Sequence, residues 1–115
     1  MGIKAILENY RLEELRMITL KLEKELLKNS NNKNKINDID EEYRVLELKH
    51  KIIIESLYIL TDREREIIKC LYIDGKTGCK TLWEVGLKVN MCKANIGKLR
   101  KRALEKLEKF LGGRL

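Results

Sequence analysis

The chain has 115 residues, of which 25 are Lys or Arg and 18 are Asp or Glu, and it contains no Pro and only one Trp and one Phe. This length suits one small domain, or a small domain with an extension, and no apolar run approaches the roughly 20 residues that a membrane-spanning helix needs. The first residues lack the pattern of a secretory signal or a lipidation site, so we expect a cytoplasmic protein without a membrane partner. Abundant Leu, Ile, Lys and Glu predict an all-α fold.

The three cysteines do not predict a metal site. Cys70, Cys79 and Cys92 are nine and thirteen residues apart, whereas zinc ligands usually come in closely spaced pairs. The single histidine, His50, lies far from the cysteines in sequence. No Cys or Ser therefore has an evident base that could activate it as a nucleophile. We therefore predict a protein that is not an enzyme and that holds neither a metal nor another cofactor.

The first predicted helix covers residues 3–28. Four leucines recur three and four residues apart, with Thr19 in the gap, and form an apolar stripe: Leu12, Leu15, Leu22 and Leu26. A second, slightly rotated stripe precedes it and consists of Ile3, Ile6, Leu7 and Tyr10. The polar run over residues 29–35 predicts a loop after this helix.

The second predicted helix, over residues 36–60, has the most regular pattern in the chain. Its apolar positions alternate three and four apart over more than three heptads, as in a coiled-coil seam: Ile36, Ile39, Tyr43, Leu46, His50, Ile53, Leu57 and Leu60. Two long helices and a short loop predict an antiparallel, coiled-coil-like hairpin over residues 1–60, and a dimer interface is the other use that the two seams allow. A lone histidine in a seam is usually packed, although its pKa also permits a pH-sensitive role.

A third predicted helix starts with a capping box at Thr61 and Glu64 and ends at Asp74 and Gly75. Its buried face is predicted to consist of Ile67, Ile68, Leu71 and Tyr72.

The last part of the chain predicts a helix-turn-helix. Thr81 caps a short helix over residues 82–89, Asn90 suits a tight turn, and a long helix runs from about Lys93 to Phe110, before Gly112 and Gly113. In this motif the second helix enters the major groove of DNA, and its first residues meet the base edges.

The positive charge is concentrated in the same region. Residues 88–115 contain nine basic and two acidic side chains, whereas residues 1–87 are neutral overall. A localised positive field favours a polyanion such as DNA, because every phosphate that it neutralises releases counterions. The alternative is a basic helix face that is merely solvated.

Three segments resemble region four of bacterial sigma factors. Residues 81–86, 90–96 and 102–107 are similar to the family pattern T-L-E-E-I/V-A/G, a turn with S/T-R-E-R-I/V-R-Q-I, and a closing R-A-L-x-K-L, and residues 60–68 are similar to the helix that precedes them. The resemblance spans residues 60–111 and implies a helix-turn-helix domain over residues 61–115 that binds duplex DNA. It also implies RNA polymerase as a further candidate partner.

The resemblance is incomplete at the positions that read bases. The family commonly has Glu and Arg where this chain has Ala94 and Gly97, Cys92 replaces the capping Ser or Thr, and Lys98 replaces Gln. We therefore expect a target that differs from the usual promoter element. In overall plan the chain resembles small phage regulators of the late-transcription activator type.

These patterns predict a sequence-specific, double-stranded DNA-binding transcription regulator of phage or prophage origin that forms a homodimer. Lys93, Asn95 and Lys98 are predicted nearest the bases, with Asn95 on adenine and Lys98 on guanine. The residues assigned to phosphates are Thr81, Lys101, Arg102 and Lys106. The complete predicted DNA-binding set is Thr81, Lys93, Ala94, Asn95, Gly97, Lys98, Lys101, Arg102 and Lys106.

Three alternative functions fit the same sequence. A small subunit of a phage DNA-packaging machine would also join a helix-turn-helix to an oligomerising hairpin. An RNA polymerase-binding adaptor would use Ile67, Leu71 and the rest of the helix over residues 61–73 as its contact surface. A purely structural coiled-coil protein would carry the basic helix only for solubility.

Overall fold

The computed structural model describes residues 2–30, 32–74 and 91–112, and every regular element in these ranges is helical. They contain α1 (Ile3–Leu27), α2 (Lys33–Ser56), α3 (Asp62–Ile68) and α4 (Lys93–Leu111). A 3-10 turn (Leu57–Ile59) follows α2, and a π-helical turn (Lys69–Ile73) extends α3. The all-α prediction is therefore confirmed over the described residues. The predicted short helix over residues 82–89, with Thr81 and Asn90 at its ends, lies outside them.

None of the helices in these ranges combines the length and the apolar character that crossing a membrane requires.

The helices α1 and α2 lie antiparallel. Three ion pairs join them, and their members run in opposite directions along the two helices: Lys24–Asp40 at 2.8 Å, Arg16–Glu42 at 2.9 Å and Lys49–Glu13 at 3.0 Å. The two exposed pairs, Lys24–Asp40 and Arg16–Glu42, each contribute at most about 1 kcal/mol, whereas Lys49–Glu13 is partly buried. They establish which residues face each other, while apolar burial supplies most of the stability.

The side of α2 that faces α1 is the predicted seam. His50 and Ile53 are buried there, and the preceding seam positions from Ile36 to Leu46 are partly buried. The ring of His50 stacks on Tyr10 of α1, with ring centroids 4.1 Å apart and planes 18° apart. A lone polar ring is thus accommodated in the seam by an aromatic neighbour.

On α1 the more regular apolar stripe is the exposed one, and the other stripe is buried. The rotated stripe is the buried one: Ile3, Ile6, Leu7 and Tyr10 are all at most 6% exposed. The regular leucine stripe is exposed, with Leu12 at 65%, Leu15 at 42%, Leu22 at 61% and Leu26 at 80%. The physical reason is that α1 has apolar residues on two opposite sides, and one chain supplies neighbours for only one of them.

The second α-helix ends four residues earlier than predicted, at Ser56, where the 3-10 turn replaces it, and the backbone becomes extended at Leu60 before α3. Arg65 stabilises this turn: its Nε donates to the carbonyl of Leu57 at 3.2 Å and its Nη2 donates to the carbonyl of Leu60 at 3.1 Å. The same guanidinium lies 4.8 Å from the centroid of the Tyr58 ring. One side chain therefore binds two carbonyls of this turn, and the Leu57 carbonyl also accepts a hydrogen bond from the Leu60 N–H at 3.1 Å.

The capping box at the start of α3 is confirmed. Thr61 Oγ1 accepts a hydrogen bond from the Glu64 N–H at 3.3 Å, and Glu64 Oε1 accepts one from the Thr61 N–H at 2.9 Å. The helix then buries its predicted face, which consists of Ile67, Ile68, Leu71 and Tyr72.

One hydrophobic core is shared by all four helices. It joins the first turns of α1 to the end of α2, to α3 with its π-helical turn, and to α4. The first backbone N–H of α1, at Ile3, donates to Glu108 Oε2 near the end of α4 at 2.9 Å. The core thus extends across residue 60, where the sequence suggests a domain boundary.

Candidate nucleic-acid interface

The final helix, α4, starts and stops where the sequence indicates. It begins at Lys93 after Cys92, which has extended backbone angles and makes no side-chain capping hydrogen bond, as expected of a weak cap. It ends at Leu111. A Cβ on the next residue, Gly112, would lie 2.6 Å from the carbonyl oxygen of Glu108, so glycine fits this close approach of the backbone.

The inner side of α4 is anchored in the core. Ile96, Ala103, Leu107 and Leu111 recur seven and four residues apart and are at most 5% exposed. Because this spacing keeps them on one side of the helix, the residues on the opposite side are turned to solvent, whereas Leu99 and Leu104 are partly buried against the core. The orientation of the outer side is therefore fixed by packing.

The outer side of α4 is basic, and we call Lys98, Lys101 and Arg102 the basic face. All three side chains are exposed, and Lys101 and Arg102 follow Lys98 by three and four residues, so each is a neighbour of Lys98 on the helix surface. Ala94 and Asn95 are exposed one turn before them. Glu105 is also exposed on this side and reduces its net charge.

The basic face differs from the charged surface of the α1–α2 hairpin. On the hairpin, basic side chains such as Arg16, Lys24 and Arg44 pair with carboxylates at 2.8–2.9 Å. Within the described residues, no carboxylate lies within 4.0 Å of the Lys98, Lys101 or Arg102 charges. Neighbouring like charges repel one another on a helix, so an external anion would stabilise this surface.

The predicted DNA-binding residues are divided by the structure. Lys93, Ala94, Asn95 and the basic face are exposed on α4, and Gly97 is partly exposed. Thr81 lies outside the described residues. Lys106 differs from the rest, because its Nζ lies 2.7 Å from Glu64 Oε1 and so has a partner within the protein.

Glu64 is a structural residue whose full role the sequence did not reveal. Its side chain is only 2% exposed, and Oε1 accepts hydrogen bonds from both Lys106 Nζ and the Thr61 N–H. Burial alone would raise the pKa of Glu64, but the bonds from Lys106 and Thr61 outweigh it and hold this pKa below its usual value. The capping pattern identified Glu64, whereas no local pattern indicated Lys106, which lies 42 residues away.

Gly97 has no packing reason for lacking a side chain. A Cβ built at this position would meet no atom within 4 Å, apart from its own helix backbone and chain neighbours. The intramolecular contacts of the described residues therefore permit alanine here.

The two residues named for an adaptor surface are not accessible to a protein partner. Ile67 and Leu71 are 0% and 2% exposed and form part of the shared core. A partner that contacts α3 would instead meet its exposed residues, such as Arg63 and Glu66.

No family model, curated protein or solved structure matches this chain.

Proposed function

We propose that the chain is a double-stranded DNA-binding regulator of transcription in which α4 is the recognition helix. The observation that carries the proposal is the basic face, whose exposed cations have no partner among the residues that the structure describes and lie on a helix whose inner side is held by the core. The sequence resemblance supports a helix-turn-helix of the sigma region-four type, in which residues 81–90 would supply the first helix and the turn. RNA polymerase and a second copy of the chain are the further proposed partners.

In this proposal the first half of α4 lies in the major groove. An α-helix with its side chains is about 10–12 Å wide and fits a groove about 12 Å wide. Asn95 would pair with adenine and Lys98 with guanine, while the small Ala94 leaves room for a thymine methyl group. Lys101 and Arg102 would bind phosphates and fix the register of the helix on the duplex.

The experiment that tests this proposal is a titration of fluorescent duplex DNA at several salt concentrations. Each phosphate contact contributes a slope of about −0.9 to the logarithm of affinity against the logarithm of salt. We expect Lys101→Gln to weaken binding to all sequences similarly and to reduce the magnitude of the slope by about 1. The matched control is Lys51→Gln on α2, whose side chain is 69% exposed and pairs with Glu47 of the same helix at 3.5 Å.

The proposal fails if affinity for duplex DNA does not depend on salt, or if both variants change the slope equally. Selection of bound fragments from random duplexes then tests specificity, because a regulator enriches a defined site. A solution mass that corresponds to eight or more chains would instead favour the DNA-packaging function. If duplex DNA does not change the thermal stability of the protein, the purely structural coiled-coil function is favoured.

A further inference from the structure

The exposed leucines of α1 form an apolar stripe along the helix. Its two end members also border cavities beside α2, where Leu12 lines one cavity with Leu46 and Leu26 lines another with Ile39. We call Leu12, Leu15, Leu22 and Leu26 the outer stripe; Ile18 lies beside it and is 51% exposed. The opposite side of α1 contacts α2 and the core through residues such as Tyr10 and Leu20, which are 6% and 1% exposed. A helix that is apolar on two opposite sides is typical of one that is enclosed on both.

We infer that the outer stripe binds the outer stripe of a second copy of this chain, with the two α1 helices antiparallel and Thr19 near the two-fold axis. In this register Leu12 of one copy lies opposite Leu26 of the other, and Leu15 lies opposite the turn that contains Leu22. The interface is isologous, because each copy contributes the same surface.

The spacing of the stripe favours a helix as its occupant. Leu12, Leu15, Thr19, Leu22 and Leu26 alternate three and four apart, which is the repeat that keeps one apolar seam against a partner helix. The exposed fractions of these leucines and Ile18 correspond to roughly 600 Å² per copy, at the low end of specific interfaces. We therefore expect a dimer that dissociates in the micromolar range.

The charges beside the stripe favour the antiparallel orientation. Arg11 and Arg16 flank its first half, whereas Glu23 and Glu25 flank its second half. A parallel pair would bring Arg11 of one copy close to Arg16 of the other, and like charges across an interface are unfavourable. An antiparallel pair instead brings Arg11 and Arg16 of one copy towards Glu25 and Glu23 of the other.

This arrangement extends the proposed function, since a two-fold pair would place its two α4 helices at opposite ends and read an inverted repeat. Its test uses no DNA, so the dimer and the DNA-binding proposal can fail separately.

The first test is the solution mass of the whole chain, measured by sedimentation over a concentration series. One copy has a mass of 13.6 kDa, and we expect about twice this value at high micromolar concentration. Leu15→Lys with Leu22→Lys should shift the dissociation constant upwards at least tenfold while circular dichroism stays helical. The matched control is Leu48→Lys with Ile52→Lys, which changes two apolar residues of α2 that are 45% and 46% exposed.

A wild-type chain that stays at 13.6 kDa overturns the inference, as does a loss of dimer in the α2 control but not in the α1 variant.

The second test determines the orientation by cysteine cross-linking, with Cys79 and Cys92 replaced by serine and the buried Cys70 retained. Leu12→Cys and Leu26→Cys chains are oxidised separately and then as a mixture. An antiparallel pair gives cross-linked dimer efficiently only in the mixture. Cross-linking of each variant with itself, at the same yield as the mixture, would contradict the antiparallel arrangement.

Discussion

At the scale of single residues, the structure assigns internal roles to polar groups that look like ordinary surface residues in the sequence. Lys106 belongs to the basic C-terminal region, yet its ammonium group bonds to a buried carboxylate on α3. His50 occupies an apolar seam, where its Nε2 has no hydrogen-bond partner among the described residues. Both arrangements depend on contacts between helices, and both lead to measurable consequences for stability.

We expect Lys106→Met to destabilise the protein by about 1–3 kcal/mol, because it removes one of the two hydrogen bonds to the buried Glu64 carboxylate. Unfolding in urea measures the change. The matched control is Lys109→Met, an exposed basic residue on the same helix, which should alter stability by less than about 0.5 kcal/mol. Equal stability of the two variants would show that the contact between Lys106 and Glu64 contributes little.

We expect the protein to lose stability as the pH falls from 7 to 5, because burial lowers the pKa of His50 below its usual value of 6.5. The nearby charge of Lys49 lowers this pKa further, and the carboxylates of Glu13 and Glu14 oppose the shift only in part. Below pH 6.5 the unfolded chain therefore binds the proton more readily than the folded chain, and acid favours unfolding.

The measurement is the melting temperature of the wild type and of His50→Phe at several pH values. Phenylalanine keeps an aromatic ring beside Tyr10 but does not titrate, so its melting temperature should vary less over this range. The chain has no other histidine, and no other side chain normally titrates between pH 5 and 7. Identical pH dependence of the two proteins would contradict a lowered pKa of His50.

At the scale of elements, α4 combines strong anchoring with one locally unfavourable residue. Its inner residues are buried in the core, whereas Gly97 lies on the partly exposed side and weakens the helix without a packing reason. Two explanations remain consistent with the structure: close approach of a DNA backbone, or absence of selection at this position.

We expect Gly97→Ala to stabilise the protein by about 1 kcal/mol and to raise its melting temperature by about 4 °C. The matched control is Ala94→Gly, which should lower stability by a similar amount because Ala94 is exposed one turn earlier. DNA affinity measured on the same variant distinguishes the explanations, since close approach of DNA predicts weaker binding. Failure of Gly97→Ala to raise the melting temperature would contradict the open space found around it.

At the scale of the whole molecule, the shared core connects the hairpin to the proposed DNA-binding helix. The start of α1 packs against α4, while the outer stripe faces solvent further along α1. Any partner bound along the stripe would therefore be connected to α4 through a single continuous helix. In the proposed antiparallel dimer this connection would set the distance and the relative orientation of the two basic faces.

The sequence by itself determined the helices, the capping box and the position of the positive charge. Local features specify these properties: apolar spacing identifies Ile67 and Leu107 as core residues, the pair Thr61 and Glu64 marks a helix start, and charge can be counted directly. The seam of α2 was also predicted, because its heptad pattern has no competing apolar face of equal regularity. The exposure of Lys98, Lys101 and Arg102 on α4 follows from the same periodicity.

Only the tertiary structure decided which apolar side of α1 is covered within one chain, and which basic residues have internal partners. Leu22 and Leu7 are equally apolar, but only Leu7 lies near the core formed with α3 and α4. Likewise, Lys101 and Lys106 are the same residue type on the same helix, and only Lys106 reaches Glu64. The physical reason is that burial and pairing depend on which distant segments meet, and periodicity within one helix does not contain that information.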